Sequence, residues 1–383
     1  MKHPWILQAL LAREQQGQRR SLKDLGETKA PMIKLGGQEL VNFSSNDYLG
    51  LSTHRDLLQR ANEFAQTYGA GSTASRLVCG NLPCYGPVEA KLAKLKGTER
   101  ALILNSGFQT NVGLVPALAG PGDVILMDKL IHNSLIQGVK LSGAKFQRFR
   151  HNDLEHLASL LEKSVPTARR VLVLAETVYS MDGDRPDLKK MIDLCHQHNA
   201  FLVLDEAHAT GVLGPQGMGL SVGLGADLVM GTFGKGMGSF GAYLAGSSDL
   251  MDYMINFHPG LIYSTGLPPS VLGSIDAALD LVPQLEGSRQ HITQISESLR
   301  SQLQQSGFDT LDSSTQIIPV VTGEEQPCLD LARYLQTRGF FTIPIRPPTV
   351  EPHKARIRLA LNSQHTQTQI DQLAQAFAGW RRP

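Results

Sequence analysis

From about residue 100 onward the chain alternates short apolar runs with amphipathic stretches. Residues 101–104, 124–127, 145–149, 171–175, 201–204 and 227–231 read as strands, and their near-continuous Val/Leu character predicts strands covered on both faces. Between them lie segments of the length that a parallel sheet needs for its crossovers. One, 152–163, opens on a good N-cap, and another, 187–199, carries Leu188, Ile192 and Cys195 at helical spacing. The pattern predicts an α/β region built on a mostly parallel sheet.

The character changes after about residue 268, where Pro268 and Pro269 open a long helical region. In its second half Ile292, Ile295, Leu299 and Leu303 form one apolar stripe that stops at Gly307. Strand-like runs follow at 317–321, 340–345 and 355–361, with a helix between the first two near 328–338. Thr366 with Gln369 three residues later is a capping box announcing a last helix, whose apolar face is Ile370, Leu373 and Phe377. This is the signature of a smaller α+β domain after a larger α/β one. The expected division is an N-terminal segment over 1–50, a large domain over 51–285 and a small domain over 286–383.

Composition narrows the function. Of 383 residues 42% are hydrophobic and 19% charged, a globular profile, and 36 Lys+Arg against 35 Asp+Glu leave a net charge of +1. That balance gives no global attraction to nucleic acid or anionic lipid. No stretch approaches the roughly 18 uncharged apolar residues that span a bilayer, and the N-terminus lacks a cleavable leader pattern, so a cytoplasmic location is expected. The four cysteines show no zinc or redox spacing and read as reduced, mostly buried thiols; no metal is expected. Glycine is unusually frequent, at 37 residues, and clusters in short loops.

Those loops fall at strand ends, where a doubly wound sheet binds its ligands. After 201–204 come Asp205, Glu206, Ala207 and His208; after 227–231 comes Thr232-Phe233-Gly234-Lys235-Gly236. Asn105-Ser106-Gly107-Phe108 follows 101–104 and opens a helix whose N–H groups can hold an anion. His132 follows 124–127, and a polar stretch containing Tyr179, Ser180, Met181, Asp182 and Gly183 follows 171–175. Singly, each has a structural reading: a helix cap, a tight turn, a packed histidine. The lysine loop is not a Walker A loop, because Val229 and Gly236 stand where that pattern needs glycine and Ser/Thr. Jointly, a phosphate site, an aspartate, a histidine and an active lysine fit pyridoxal 5′-phosphate: lysine to hold it covalently, aspartate to keep its ring nitrogen protonated, and a helix N-terminus for its phosphate.

With the segment Asn42-Phe43-Ser44-Ser45-Asn46-Asp47-Tyr48-Leu49-Gly50, the stretch Asp205-Glu206-Ala207-His208-Ala209-Thr210-Gly211 and the lysine loop, the chain resembles the α-oxoamine synthases over about residues 5–380. The resemblance implies a type I pyridoxal-phosphate transferase fold and decarboxylative condensation of an amino acid with an acyl thioester. Within the family, Ile345-Arg346-Pro347-Pro348-Thr349-Val350 and Ala355-Arg356-Ile357-Arg358 look most like the member that joins L-alanine to a pimeloyl thioester in biotin synthesis. Lys235 would then hold the cofactor and move the substrate Cα proton, Asp205 would pair with the ring nitrogen, His132 would stack on the ring, and His208 and Ser180 would lie near its hydroxyl. Gly107, Phe108 and Thr232 would bind the phosphate, with Thr265 of the partner subunit completing it in a homodimer whose site lies between subunits. Arg358 would clamp the substrate carboxylate, a task suited to guanidinium, and Arg20, Asn46, His132 and Thr349 would contact substrate.

One departure bears on the acyl donor. Where the family usually has a histidine ahead of a Leu-Glu pair, this chain has Tyr85 ahead of Val88-Glu89, and the preceding Ser75–Cys84 stretch is atypical. Other members of the family, with another amino acid or acyl chain such as a 2-amino-3-ketobutyrate ligase, stay open, as does a non-catalytic subunit. The presence of Lys235, Asp205 and His208 speaks against the last.

Overall fold

The computed structural model describes residues 3–381. The chain begins with α1 (Pro4–Gln15) and the strands β1 (Leu25–Lys29), β2 (Met32–Leu35) and β3 (Gln38–Asn42), then α2 (Arg55–Tyr68) and α3 (Tyr85–Lys96). There follow β4 (Arg100–Leu104), α4 (Gly107–Leu118), β5 (Val124–Asp128), α5 (Asn133–Ser142), β6 (Lys145–Phe149), α6 (Leu154–Ser164), β7 (Val171–Glu176), α7 (Leu188–Gln197), β8 (Phe201–Asp205), β9 (Leu228–Thr232) and β10 (Ala242–Gly246). The remainder is α8 (Ser248–Phe257), α9 (Pro259–Ile262), α10 (Pro269–Leu281), α11 (Glu286–Gln305), β11 (Ile317–Gly323), α12 (Glu325–Thr337), β12 (Phe340–Phe341), β13 (Ile343–Ile345), β14 (Ala355–Ala360) and α13 (Gln367–Gly379). Among the described residues no helix is long and apolar enough to cross a membrane.

The chain divides into two compact units. The larger takes in Asp47–Ser180 and Asp184–Gln290 and holds a seven-stranded sheet in the order β4-β10-β9-β8-β7-β5-β6. All pairings are parallel except those of β10, which is antiparallel to both neighbours. Side chains alternate between two apolar layers, as the two-residue period of a strand requires. Leu172 and Leu174 of β7 pack in one cluster with Ile125, Met127 and Val203, while Val171, Val173 and Ala175 pack in the other with Leu126, Leu202 and Leu204. That double covering is what the unbroken apolar runs predict. Only the edge strand β6 departs from it, with four exposed residues before the buried Phe149.

The smaller unit takes in the chain up to Asn46, the short segment Met181–Gly183, and the chain from His291 onward. The first strands therefore belong with the C-terminal segment instead of standing apart: β3 pairs in parallel with β12, extending the β1-β2-β3 meander. A second sheet runs β11-β14-β13, and the stripe Ile295, Leu299 and Leu303 packs on it with Leu331, Leu335, Ile370, Leu373 and Phe377. Gly183 carries φ +69°, and a Cβ there would fall 1.9 Å from the Ile317 carbonyl oxygen, so glycine alone fits.

Three local expectations change. The single strand expected over 340–345 is two, because Phe340 and Phe341 pair with Val41 and Asn42 while Ile343–Ile345 pair with β14. β10 has no counterpart among the expected strands. The N-cap of α6 is Asp153, whose carboxylate accepts the His156 N–H at 2.8 Å, while Asn152 sits in the left-handed region at φ 53°.

Candidate active site

The large unit gathers the expected cofactor residues at the ends of its parallel strands and the helices that follow. Asp205 ends β8, and its carboxylate, 4% exposed, accepts from the Asn111 amide at 2.8 Å and the Ala207 N–H at 2.8 Å. Both donors are neutral. Asn111 also donates to the Ser134 hydroxyl at 3.0 Å, which lies 2.7 Å from His132 Nδ1. One chain of hydrogen bonds thus links His132 to Asp205.

His132 caps α5, its Nδ1 accepting the Ser134 N–H, which puts the ring proton on Nε2. Partial burial lowers its pKa, against the opposing pull of Asp205, so the imidazole is neutral. Its backbone N–H donates to Glu176, the last residue of β7. Burial, then the neighbouring Asp205 charge, push the Glu176 carboxyl well above the usual carboxylate range. Glu176 is therefore held as the neutral acid.

Lys235 lies on the loop after β9, its Nζ 2.7 Å from His208 Nε2, and His208 Nδ1 is 2.6 Å from the buried Tyr48 hydroxyl. With the lysine donating to Nε2, the ring carries its proton on Nδ1 and donates it to the phenol oxygen. Next in sequence to Asp205, Glu206 forms a fully buried ion pair with Lys96 and accepts the Ser221 N–H at 2.8 Å. Burial pulls the Lys96 pKa down, but Glu206 outweighs it and holds the ammonium charged.

The 12-residue helix α4 opens at Ser106, whose hydroxyl accepts the Gln109 N–H at 3.3 Å. That cap leaves the Gly107 and Phe108 N–H groups outside the helix's own bonds, where an anion is favoured. Thr232 lies close by, 3.8 Å from where a Gly107 Cβ would stand, and its hydroxyl donates to the Gly241 carbonyl at 2.7 Å and accepts the Gly234 N–H at 3.1 Å. Ser180 is buried after β7, and Thr265 is exposed after α9. A carboxylate without a cationic hydrogen-bond partner, a lysine amine, an imidazole and a helix N-terminus form the donor set that pyridoxal phosphate requires, so the residues present fit it.

The small unit holds the remaining expected residues as two pairs. Arg358 of β14 is 7% exposed and donates to the Asn46 side-chain oxygen at 3.0 Å. Arg20 donates to the Thr349 hydroxyl at 3.0 Å, both exposed. Arg356, two residues before Arg358 on the same strand, is bound instead by Asp182. Sequence reasoning did not single out Asn111, Ser134, Tyr48 or Glu176. Asn111 was detectable, since it stands four residues after Gly107 on the same face of α4.

The aminotransferase class I and II family matches residues 38–377. A protein of Desulfosudis oleivorans, provisionally designated an 8-amino-7-oxononanoate synthase, is 52% identical over 95% of this chain and 95% of its own. The 8-amino-7-oxononanoate synthase of Gluconacetobacter diazotrophicus is 45% identical over 98% of this chain and 96% of its own. Among solved structures, a serine palmitoyltransferase from S. paucimobilis with bound PLP-myriocin aldimine superposes with a TM-score of 0.91 at 25% identity, covering 98% of this chain and 96% of that one. The 8-amino-7-oxononanoate synthase of Francisella tularensis gives 0.78 at 25% identity, covering 88% and 97%. The chain belongs to the aminotransferase class I and II family, among the α-oxoamine synthases most like 8-amino-7-oxononanoate synthase, and is a pyridoxal-phosphate-dependent acyltransferase.

Proposed function

We propose that the protein condenses L-alanine with a pimeloyl thioester, carried on CoA or a carrier protein, to give 8-amino-7-oxononanoate, the thiol and CO2 in biotin synthesis. The bonds formed join the alanine Cα to the acyl carbonyl carbon and, once CO2 has left, to a returning proton, while the released sulfur takes up a proton as the thiol; the bonds broken are Cα–H, the thioester C–S bond and the bond from Cα to the carboxylate. When bound, pyridoxal phosphate supplies an electron sink that stabilises negative charge at Cα.

The chain's own residues would divide the work. Lys235 Nζ takes the Cα proton as general base, and its 2.7 Å contact with His208, itself held by Tyr48, fixes where that amine points. Asp205 matches a protonated ring nitrogen with its charge, and Asn111 holds it in that orientation. His132, neutral and tied back through Ser134, offers a flat ring for stacking. The Gly107 and Phe108 N–H groups and Thr232 would receive the phosphate, with Thr265 of the partner subunit completing the set in a cytoplasmic homodimer. Arg358, steadied by Asn46, takes the amino-acid carboxylate and so selects which Cα bond is aligned for breaking, while Arg20 and Thr349 contact substrate.

The observation that carries this reading is the Lys235–His208–Tyr48 chain in a protein 45% identical to an 8-amino-7-oxononanoate synthase. The test crosses L-alanine, glycine and serine with acyl-CoAs of several lengths, scoring thiol release and product mass. Alanine with pimeloyl-CoA is expected to lead. A lead for serine with a long-chain acyl-CoA would reassign the substrates toward those of the serine palmitoyltransferase neighbours, and no thiol release with any pair would refute the reading.

A further inference from the structure

Tyr85 stands where the family usually carries histidine, and its surroundings say what the substitution does. Its side chain is 1% exposed, and its hydroxyl oxygen accepts the Leu267 N–H at 2.7 Å. The Arg76 guanidinium lies over the ring at 3.9 Å, itself held by Glu89 at 3.0 Å and by the Ile103 carbonyl at 3.2 Å. Tyr85 is therefore a fixed post, and what it fixes is the segment Ser264-Thr265-Gly266-Leu267.

That segment is tied at every residue. Thr265 bridges Ser75, and its carbonyl accepts the Asn105 amide at 2.7 Å. The Gly266 N–H donates to the Ala74 carbonyl at 3.0 Å, and its carbonyl accepts the Ser72 hydroxyl at 2.6 Å. The fit is close: a Cβ at Gly266 would lie 2.9 Å from the Tyr85 hydroxyl and 3.2 Å from the Ser72 hydroxyl. Within this clamp the Thr265 side chain stays exposed. A side chain held outward on an immobilised backbone is pre-organised for a ligand.

We propose that Tyr85 is a positioning residue for Thr265, setting the hydroxyl that completes the cofactor phosphate site rather than selecting the acyl chain. This rests on the reading of Thr265 as a phosphate contact. Burial raises the Tyr85 pKa to about 12, so the phenol stays neutral at working pH. The buried ring offers almost no surface to an acyl group.

The test is equilibrium dialysis of the full-length protein against pyridoxal phosphate and against pyridoxal, which lacks the phosphate. Tyr85→Phe keeps the ring and the Arg76 stack and removes only the acceptor; the loss of one buried hydrogen bond weakens pyridoxal phosphate binding by about tenfold. Pyridoxal binding is expected to be unchanged. Thr265→Ala weakens pyridoxal phosphate likewise, and adding Tyr85→Phe to Thr265→Ala costs nothing more, since both act through one hydroxyl. Thiol release across acyl-CoA lengths keeps the parent's order of preference in Tyr85→Phe. Additive losses, an equal loss for pyridoxal, or a changed acyl preference would each overturn the proposal. So would Thr265→Ala binding pyridoxal phosphate as tightly as the parent, which removes its basis. The dialysis needs no turnover, so a wrong substrate assignment leaves it readable.

Discussion

The two acidic side chains at the end of β8 meet opposite surroundings. Asp205 is held by an amide and a backbone N–H, both neutral, whereas Glu206 is closed off by a buried ammonium. Both are nearly inaccessible, at 4% and 0% exposure, so burial does not separate them. Their partners do. A buried carboxylate matched by a lysine has its charge spent on structure, while one held by neutral donors keeps its charge for a ligand cation. On β14, Arg356 is bound by Asp182, and Arg358 donates to the Asn46 side-chain oxygen.

The largest stability effect should come from breaking the neutralised pair. Lys96→Met leaves the Glu206 charge buried and unpaired and is expected to cost about 3–5 kcal/mol in urea denaturation. Adding Glu206→Gln, which keeps an acceptor for the Ser221 N–H, should recover much of that loss; no recovery would mean that the lysine acts through packing alone. Asn111→Ala should cost less, about 1.5–3 kcal/mol, because one donor to a charged acceptor is removed while the Ala207 N–H remains. It should also weaken cofactor retention, whereas Lys96→Met with Glu206→Gln should not.

A third ionic cluster sharpens the contrast through pH. His151 bridges Asp128 at 2.9 Å and Asp184 at 2.7 Å; burial pulls its pKa down, but the two carboxylates outweigh it and push it up to about 10. The folded value lies above the unfolded value of about 6.5, so the stabilisation is fully present below about pH 6.5 and is lost as pH rises through 10. The denaturation midpoint of the parent should fall between pH 6 and pH 10 more steeply than that of His151→Gln; parallel curves would contradict the assignment. The smallest effect belongs to the exposed Arg333–Asp330 pair at 3.0 Å, where Arg333→Ala should change stability by less than about 1 kcal/mol.

The strand ends carrying Lys235, Asp205, His208 and His132 were legible in sequence because apolar runs mark buried strands and polar clusters directly after them mark ligand positions. β10 was not, since Ala242, Ala245 and Gly246 leave little apolar bulk to mark a strand within a glycine-rich stretch. The pairing of β3 with β12 joins segments far apart in the chain, and no local pattern encodes it. Ser134 and Tyr48 were given no role of their own for a related reason. Each bonds to a side chain contributed by a distant element, His208 for Tyr48 and Asn111 for Ser134, and hydrogen bonds of that kind leave no spacing in the sequence.

The most direct test of the contrast between Asp205 and Glu206 is the turnover of L-alanine with pimeloyl-CoA by Asp205→Asn at saturating pyridoxal phosphate. The amide preserves shape and hydrogen-bonding capacity while removing the charge, so turnover should fall by about 10²–10³-fold. Turnover within a factor of a few of the parent would contradict the claim that the Asp205 charge is kept for the cofactor.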